Sequence, residues 1–242
     1  MVSATRNYAR APIVEAIIEV LFTAGIDHDG ITKASRKLAE RYPIEEHLTD
    51  VTVKLSGQNL NNRETSIKRK GVRRASNDRT ELVVLTNSSF LVSQLSPYCG
   101  WSSLKDRLAE AWDQWKRSVG YQKFARVGMR YINRIDIPVA ELNIESYLRI
   151  APVMPPELTD MDAFTMQVGI PLDNCLKATI STASVPSPLV DHLSLLLDID
   201  LSQESDIPQS DDGLFALLDT MRERKNMIFE ACITDTAREL FQ

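Results

Sequence analysis

Three sets of charged side chains, each carried on an apolar stretch, are the residues best placed to do chemistry. Glu15 and Glu19 interrupt PIVEAIIEVLF (12–22), Arg126, Arg130 and Arg134 interrupt FARVGMRYINRIDI (124–137), and Asp198 and Asp200 interrupt the apolar run near 192–201. Residues two apart share a face of a strand, so each set projects together from the less apolar side of its own strand. If the three strands neighbour one another, one sheet face carries acidic and basic rows side by side. Two chemistries fit that arrangement. One is a solvated face laced with cross-strand ion pairs, each worth a fraction of a kcal/mol. The other is a polar groove for an anionic ligand, with Arg130 and Arg134 taking a phosphate or carboxylate and the acids holding Mg²⁺.

A second charged feature lies at 63–79. Seven basic residues, among them Lys68, Arg69, Lys70, Arg73 and Arg74, face only Glu64 and Asp78, a local charge of +5 in a chain whose net charge is −5. Basic side chains occupy both alternating sets, so this stretch cannot bury both faces. An edge strand protected by lysines and arginines has this composition; so does a wing that tracks phosphates. No aromatic residue interleaves to stack on bases, and the acidic balance of the whole chain excludes a domain-wide nucleic-acid footprint.

Other chemistries lack their residues. Cys99, Cys175 and Cys232 are odd in number and far apart, which fits a reducing compartment. His28, His47 and His192 have no metal-ligand spacing, so neither a zinc site nor a histidine-based nucleophile system is expected. Phosphate-binding loops, nucleotide-binding glycine fingerprints, the nucleophile elbow and the calcium loop are all missing from the sequence. No catalytic residue, metal ligand or cofactor is assigned; Mg²⁺ enters only with the anion-binding alternative. Glu15 and Glu19 argue against a signal peptide, and the uncharged stretch 82–104 is broken by Asn87, Pro97, Gly100 and several serines. The expectation is a cytoplasmic chain without a membrane span.

The positioning elements follow from periodicity. Residues 12–22 and 124–137 alternate as strands, with Val127, Met129, Tyr131, Ile135 and Ile137 on one apolar face. Further strands are expected at about 49–56, 64–75, 80–86, 89–96, 163–170, 175–183 and 192–201. A short helix opens at Asp29-Gly30 and stops at Pro43, and another lies near 143–150. Over 102–119, Leu104, Leu108, Ala111, Trp112 and Trp115 recur at helical spacing, a core stripe rather than an aromatic platform. A helix over 213–232 and a last short helix capped by Thr234 or Asp235 complete the chain. The two halves share the order strand, short helix, antiparallel strands, long amphipathic helix. One α+β domain over 1–242 is expected, with largely antiparallel sheet, long helices on one face and a pseudo-repeat seam near 120–123.

APIVEAIIEVLF, RVGMRYINRIDIP and RKNMIFEACITDTARELF together resemble, in order and spacing, a sporadically distributed and uncharacterised prokaryotic family of about 250 residues. The resemblance implies Pro12, Glu15, Arg130, Tyr131, Asn133, Phe229 and Thr234 as family positions and brings no activity with it. Its patchy distribution implies a defence- or mobile-element-linked role beside a partner protein. The functional expectation is a non-enzymatic binding or accessory protein that engages a protein partner or a second copy through its sheet face or basic edge. The alternatives are a metal-dependent enzyme or sensor for a phosphorylated small molecule, and nucleic-acid binding through 63–79. Within the central strand, Asn133 falls on the apolar face and is expected to be buried and bonded to backbone. Arg130, on the opposite face, is expected to pair with Glu15 or Glu19.

Overall fold

The computed structural model describes residues 6, 8–55, 63–138, 143–155, 157–158 and 161–242, with the backbone alone over 50–55 and 63–69. Its elements are β1 (Ile13–Phe22), α1 (His28–Lys37), β2 (Ile44–Leu55), β3 (Arg63–Ala75), β4 (Glu81–Thr86), β5 (Ser89–Leu95), α2 (Trp101–Val119), β6 (Phe124–Ile137), a 3₁₀ turn (Ile144–Ser146), β7 (Thr165–Pro171), β8 (Leu176–Val185), β9 (Leu193–Gln203), α3 (Asp211–Cys232) and α4 (Asp235–Glu239). The fold is α+β with antiparallel strand pairing, as the periodicities require. Contacts divide the chain into two units. One holds the described residues up to Ile18, Leu95–Tyr98 and those from Ala125 onward; the other holds Glu19–Gln94 and Cys99–Phe124. None of the described helices is long and apolar enough to cross a membrane.

In the unit built on Glu19–Gln94, β2, β3, β4 and β5 pair in that order as an antiparallel meander. Glycine is required at Gly71, because a Cβ there would stand 2.1 Å from the Leu85 carbonyl oxygen on β4. The tryptophan stripe is core. Phe22 stacks on Trp115 with ring centroids 4.6 Å apart, and Phe90 meets Trp112 edge-on at 5.2 Å. Helix α2 starts and stops at Gly100 (φ 96°) and Gly120 (φ 74°), conformations that favour glycine at both ends. Helix α1 begins earlier than Asp29: Asp27 is its N-cap and accepts from the Gly30 N–H at 2.6 Å.

In the other unit the strand order is β6-β9-β8-β7, with Ile13–Ile18 of β1 beside β6, where Arg134 N–H donates to the Pro12 carbonyl at 2.9 Å. The alternation read from the sequence sets the faces. Val127, Met129, Tyr131, Ile135 and Ile137 are buried, and so are Leu195, Leu197, Ile199 and Leu201 on β9. Helix α3 packs against β9 and buries Leu214, Leu218, Met221, Ile228 and Cys232. Ser210 caps α3 and Thr234 caps α4.

Two expectations change. The segment 143–150 forms only one 3₁₀ turn; the strand bridge Leu148–Ile233 takes over before a helix can propagate. The basic segment is not an edge strand over its later part, which holds Arg73 and Arg74. β3 has β2 on one side, and over Gly71–Ala75 it also has β4 on the other.

Candidate functional site

On β6 the even-numbered side chains share a face with their partners on β9. The register sets Arg130 opposite Asp200, Ile132 opposite Asp198 and Arg134 opposite Leu196. Arg130 reaches diagonally to Asp198, donating from Nε at 2.9 Å to Oδ1 and from Nη2 at 2.6 Å to Oδ2. This is a two-pronged guanidinium–carboxylate pair, the strongest geometry the two groups offer. Its halves differ in exposure: the Asp198 side chain is 8% exposed and that of Arg130 46%. The carboxylate is spent as an anchor, and the outer edge of the guanidinium stays on the surface.

The neighbours extend the row. Arg126 Nη2 lies 3.4 Å from Asp200 Oδ2. Burial holds the Asp200 carboxyl above its usual range, against the opposing pull of Arg126 and Arg130. The hydrogen bonds to Asp198 push Arg130 still higher than an ordinary arginine, and the charge of Glu15 adds to that shift. Arg134 turns along its own strand, donating from Nε to Asp136 Oδ1 at 2.9 Å, while Ser194 Oγ donates to the same oxygen at 2.6 Å. Small side chains on β8 continue the face: Thr179 lies opposite Asp200 and Ser181 opposite Asp198.

The predicted rows therefore meet in part. Arg130, Arg134, Asp198 and Asp200 share one sheet face, and Glu15 lies close enough to act on Arg130 through its charge. The two-pronged partner of Arg130 is Asp198, not Glu15 or Glu19. Antiparallel pairing of β6 with β9 fixes that choice, and strand order is not written in the local pattern. Glu19 belongs to the other unit and is half-buried on β1. Among the described residues, no group of three His, Cys, Asp or Glu side chains gathers to hold a metal ion.

The basic patch is largely engaged where it is described. Arg74 is buried: it donates to Ser35 Oγ at 2.7 Å and to the Tyr42 carbonyl at 2.9 Å, and pairs with Glu45. It ties β3 to α1 and to the start of β2. Arg73 and Arg79 both reach Glu46, at 2.6 and 3.3 Å. Lys70 is exposed, and the side chains of Lys68 and Arg69 lie outside the described residues.

Sequence reasoning missed Lys225. It lies on α3, only 8% exposed, and its Nζ stands 3.9 Å from the centroid of the Tyr131 ring. The Tyr131 hydroxyl meets that of Tyr98 at 3.0 Å. Burial, helped by the charge of Arg222, lowers the Lys225 amine to about 7, and burial raises the Tyr131 phenol well above its usual value. The signal was legible: Leu214, Leu218, Met221, Lys225, Ile228 and Cys232 fall on one helical stripe, so the lysine stands where an apolar residue belongs.

No family model matches the chain, and no curated protein does. The site thus rests on its geometry. Of the positions implied by resemblance, Asn133 is buried and donates to the Leu197 carbonyl at 2.9 Å, as expected for a structural amide. Phe229 packs with the rings of Tyr8 and Phe241 at 6.2 Å from each.

Proposed function

We propose that this chain is a non-enzymatic binding protein, an accessory subunit that engages a protein partner through the charged face of β6, β9 and β8. The observation that carries this reading is the Arg130–Asp198 pair. A buried carboxylate fixes the guanidinium in one pose while half of its surface stays open to solvent. Pre-positioned arginines suit protein interfaces, because little side-chain freedom is lost when they bind. The acids on this face are occupied by arginines of the same strand pair, which leaves them poorly placed to act as general acids or bases.

The test is co-purification from the native host followed by size-exclusion chromatography with light scattering. A stoichiometric complex that is lost with Arg130→Glu, while the variant keeps its fold, supports the reading. A protein that recovers no partner and turns over a small molecule overturns it.

A second reading, a sensor of a phosphorylated small molecule, is favoured by one cavity. A hollow of about 230 Å³ is lined by Arg10, Pro12, Ser96, Arg134, Asp136 and Phe241. Its two arginines suit an anion. A thermal-shift screen of phosphorylated compounds, with and without Mg²⁺, tests it: a rise in Tm that disappears with Arg134→Ala supports the sensor, and a flat screen removes it.

A further inference from the structure

β7 is the end strand of its unit, and its bonding alternates in a way the coordinates fix. Phe164 C=O accepts from Ser184 N–H at 3.1 Å, and Leu172 N–H donates to Leu176 C=O at 2.8 Å. In an antiparallel ladder every second residue bonds to the same neighbour, so the even-numbered residues from Phe164 to Leu172 spend their backbone groups on β8. Thr165, Gln167, Gly169 and Pro171 turn theirs to the other side, where no described strand pairs with them. Only Pro171 lacks an N–H to offer.

Such an edge is normally blunted by charge, an internal proline or a bulge. β2, the end strand of the other unit, carries Glu45, Glu46, Asp50 and Lys54 and has a register shift at Leu48/Thr49. β7, TMQVGIP, has no charged residue over its seven positions and no register shift against β8. Val168 is 36% exposed, and a Cβ added at Gly169 would meet nothing within 4 Å.

The strand is also self-complementary. Turned antiparallel to itself about Gln167, it brings Thr165 opposite Gly169 and Met166 opposite Val168. The outward N–H and C=O groups of Thr165, Gln167 and Gly169 then face their counterparts. Met166 and Val168 meet on the apolar side, and the Gln167 amides lie beside each other on the polar side. No charge opposes its own copy. A two-fold contact needs one patch that complements itself, and this strand meets that condition.

We propose that β7 is a homodimerisation edge, at which a second copy of this chain pairs antiparallel about Gln167 and continues the β6-β9-β8-β7 sheet. This inference does not rest on the charged face, and its test leaves Arg126, Arg130, Asp198 and Asp200 untouched.

Light scattering on eluted protein, at loadings up to about 200 µM to reveal a weak interface, should give twice the 27.2 kDa chain mass. Gln167→Pro removes an N–H that the chain does not use internally and that an edge strand can spare. Across a two-fold it deletes one hydrogen bond per copy, weakening the dimer by about 30-fold. Val168→Lys puts a charge opposite Met166 of the other copy, with its like-charged counterpart on the diagonal of the apolar face, and should leave a monomer. Circular dichroism should match the parent in both variants, and so should Tm at loadings low enough for the parent to be monomeric. Hydrogen exchange supplies the second readout: the Gln167 and Gly169 amides should be protected in the parent and exchange freely in Val168→Lys. A parent that is monomeric at every loading overturns the proposal. So does a dimer that survives both substitutions, or protection of these amides in a monomer, which would mean that the chain caps its own edge.

Discussion

Arg74 near the end of β3 and Arg130 in the middle of β6 both have a carboxylate as partner, and both come from charged stretches that the sequence marks for chemistry. Their surroundings differ. Arg74 is 7% exposed and divides its guanidinium among Ser35, the Tyr42 carbonyl and Glu45, so each of its three nitrogens is bonded within its own unit. Arg130 gives one edge to Asp198 and keeps 46% of its side chain in solvent. The first arginine is a strut; the second is held for display. Lys225 adds a third case, a buried cation whose nearest partner is an aromatic ring rather than an acid. A charged residue in an apolar element therefore says little until its partners are counted.

The largest effect should come from the strut. Arg74→Met should lower stability by about 3–5 kcal/mol in urea titration, because it strands partly buried acceptors around the lost cation. A loss no greater than that of Arg130→Ala would erase the contrast. Next is Lys225→Met, which should raise stability at pH 7 by roughly 2 kcal/mol, since it replaces a poorly compensated buried amine with an apolar side chain of similar length. The sign of the pH dependence follows from the lowered amine, at about 7 in the folded chain. Between that value and the ordinary lysine range near 10.4, the unfolded chain holds a proton that the folded chain does not. Stability of the parent should therefore rise with pH across that window, while below about 7 the penalty is present in full. The Met variant should lose this slope; an unchanged slope would place the titration elsewhere.

Asn133→Ala should cost about 1–2 kcal/mol by leaving the Leu197 carbonyl without its side-chain donor, read as a drop in Tm with binding unaffected. Arg130→Ala should cost a comparable ~1–2 kcal/mol: the guanidinium is half solvated, but its loss leaves the 8%-exposed Asp198 carboxylate without its two-pronged partner. What sets it apart should be a loss of partner binding. If Asn133→Ala abolished binding while Arg130→Ala unfolded the chain, the two faces of β6 would have been assigned the wrong way round.

What the sequence made legible was whatever depends on period. The alternation of β6 placed Tyr131 and Asn133 inside and Arg130 outside, and the spacing of Trp112 and Trp115 put them in the core. What it could not show depends on which elements become neighbours. Pairing Arg130 with Asp198 requires the β6–β9 register, across 68 residues. The burial of Arg74 requires α1 to lie against β3, which no pattern within 63–79 encodes. The failed helix at 143–150 is of the same kind, a local preference overruled by the Leu148–Ile233 bridge.

The division of the chain also bears on the order in which it can fold during synthesis. The unit built on Glu19–Gln94 and Cys99–Phe124 is complete in covalent terms once Phe124 has emerged, whereas the other unit draws on Ile13–Ile18 and Leu95–Tyr98 before that point and takes its remaining strands from Ala125 onward. Ile13–Ile18 can bond early to the segment after β5, where Ser96 N–H donates to the Val14 carbonyl at 2.9 Å, but it must wait through the making of the intervening unit for β6 to arrive beside it. A nascent chain stalled near residue 124 would expose the apolar side of that waiting strand, Val14, Ala16 and Ile18, during the interval in which a chaperone or an early-bound second chain could cover it.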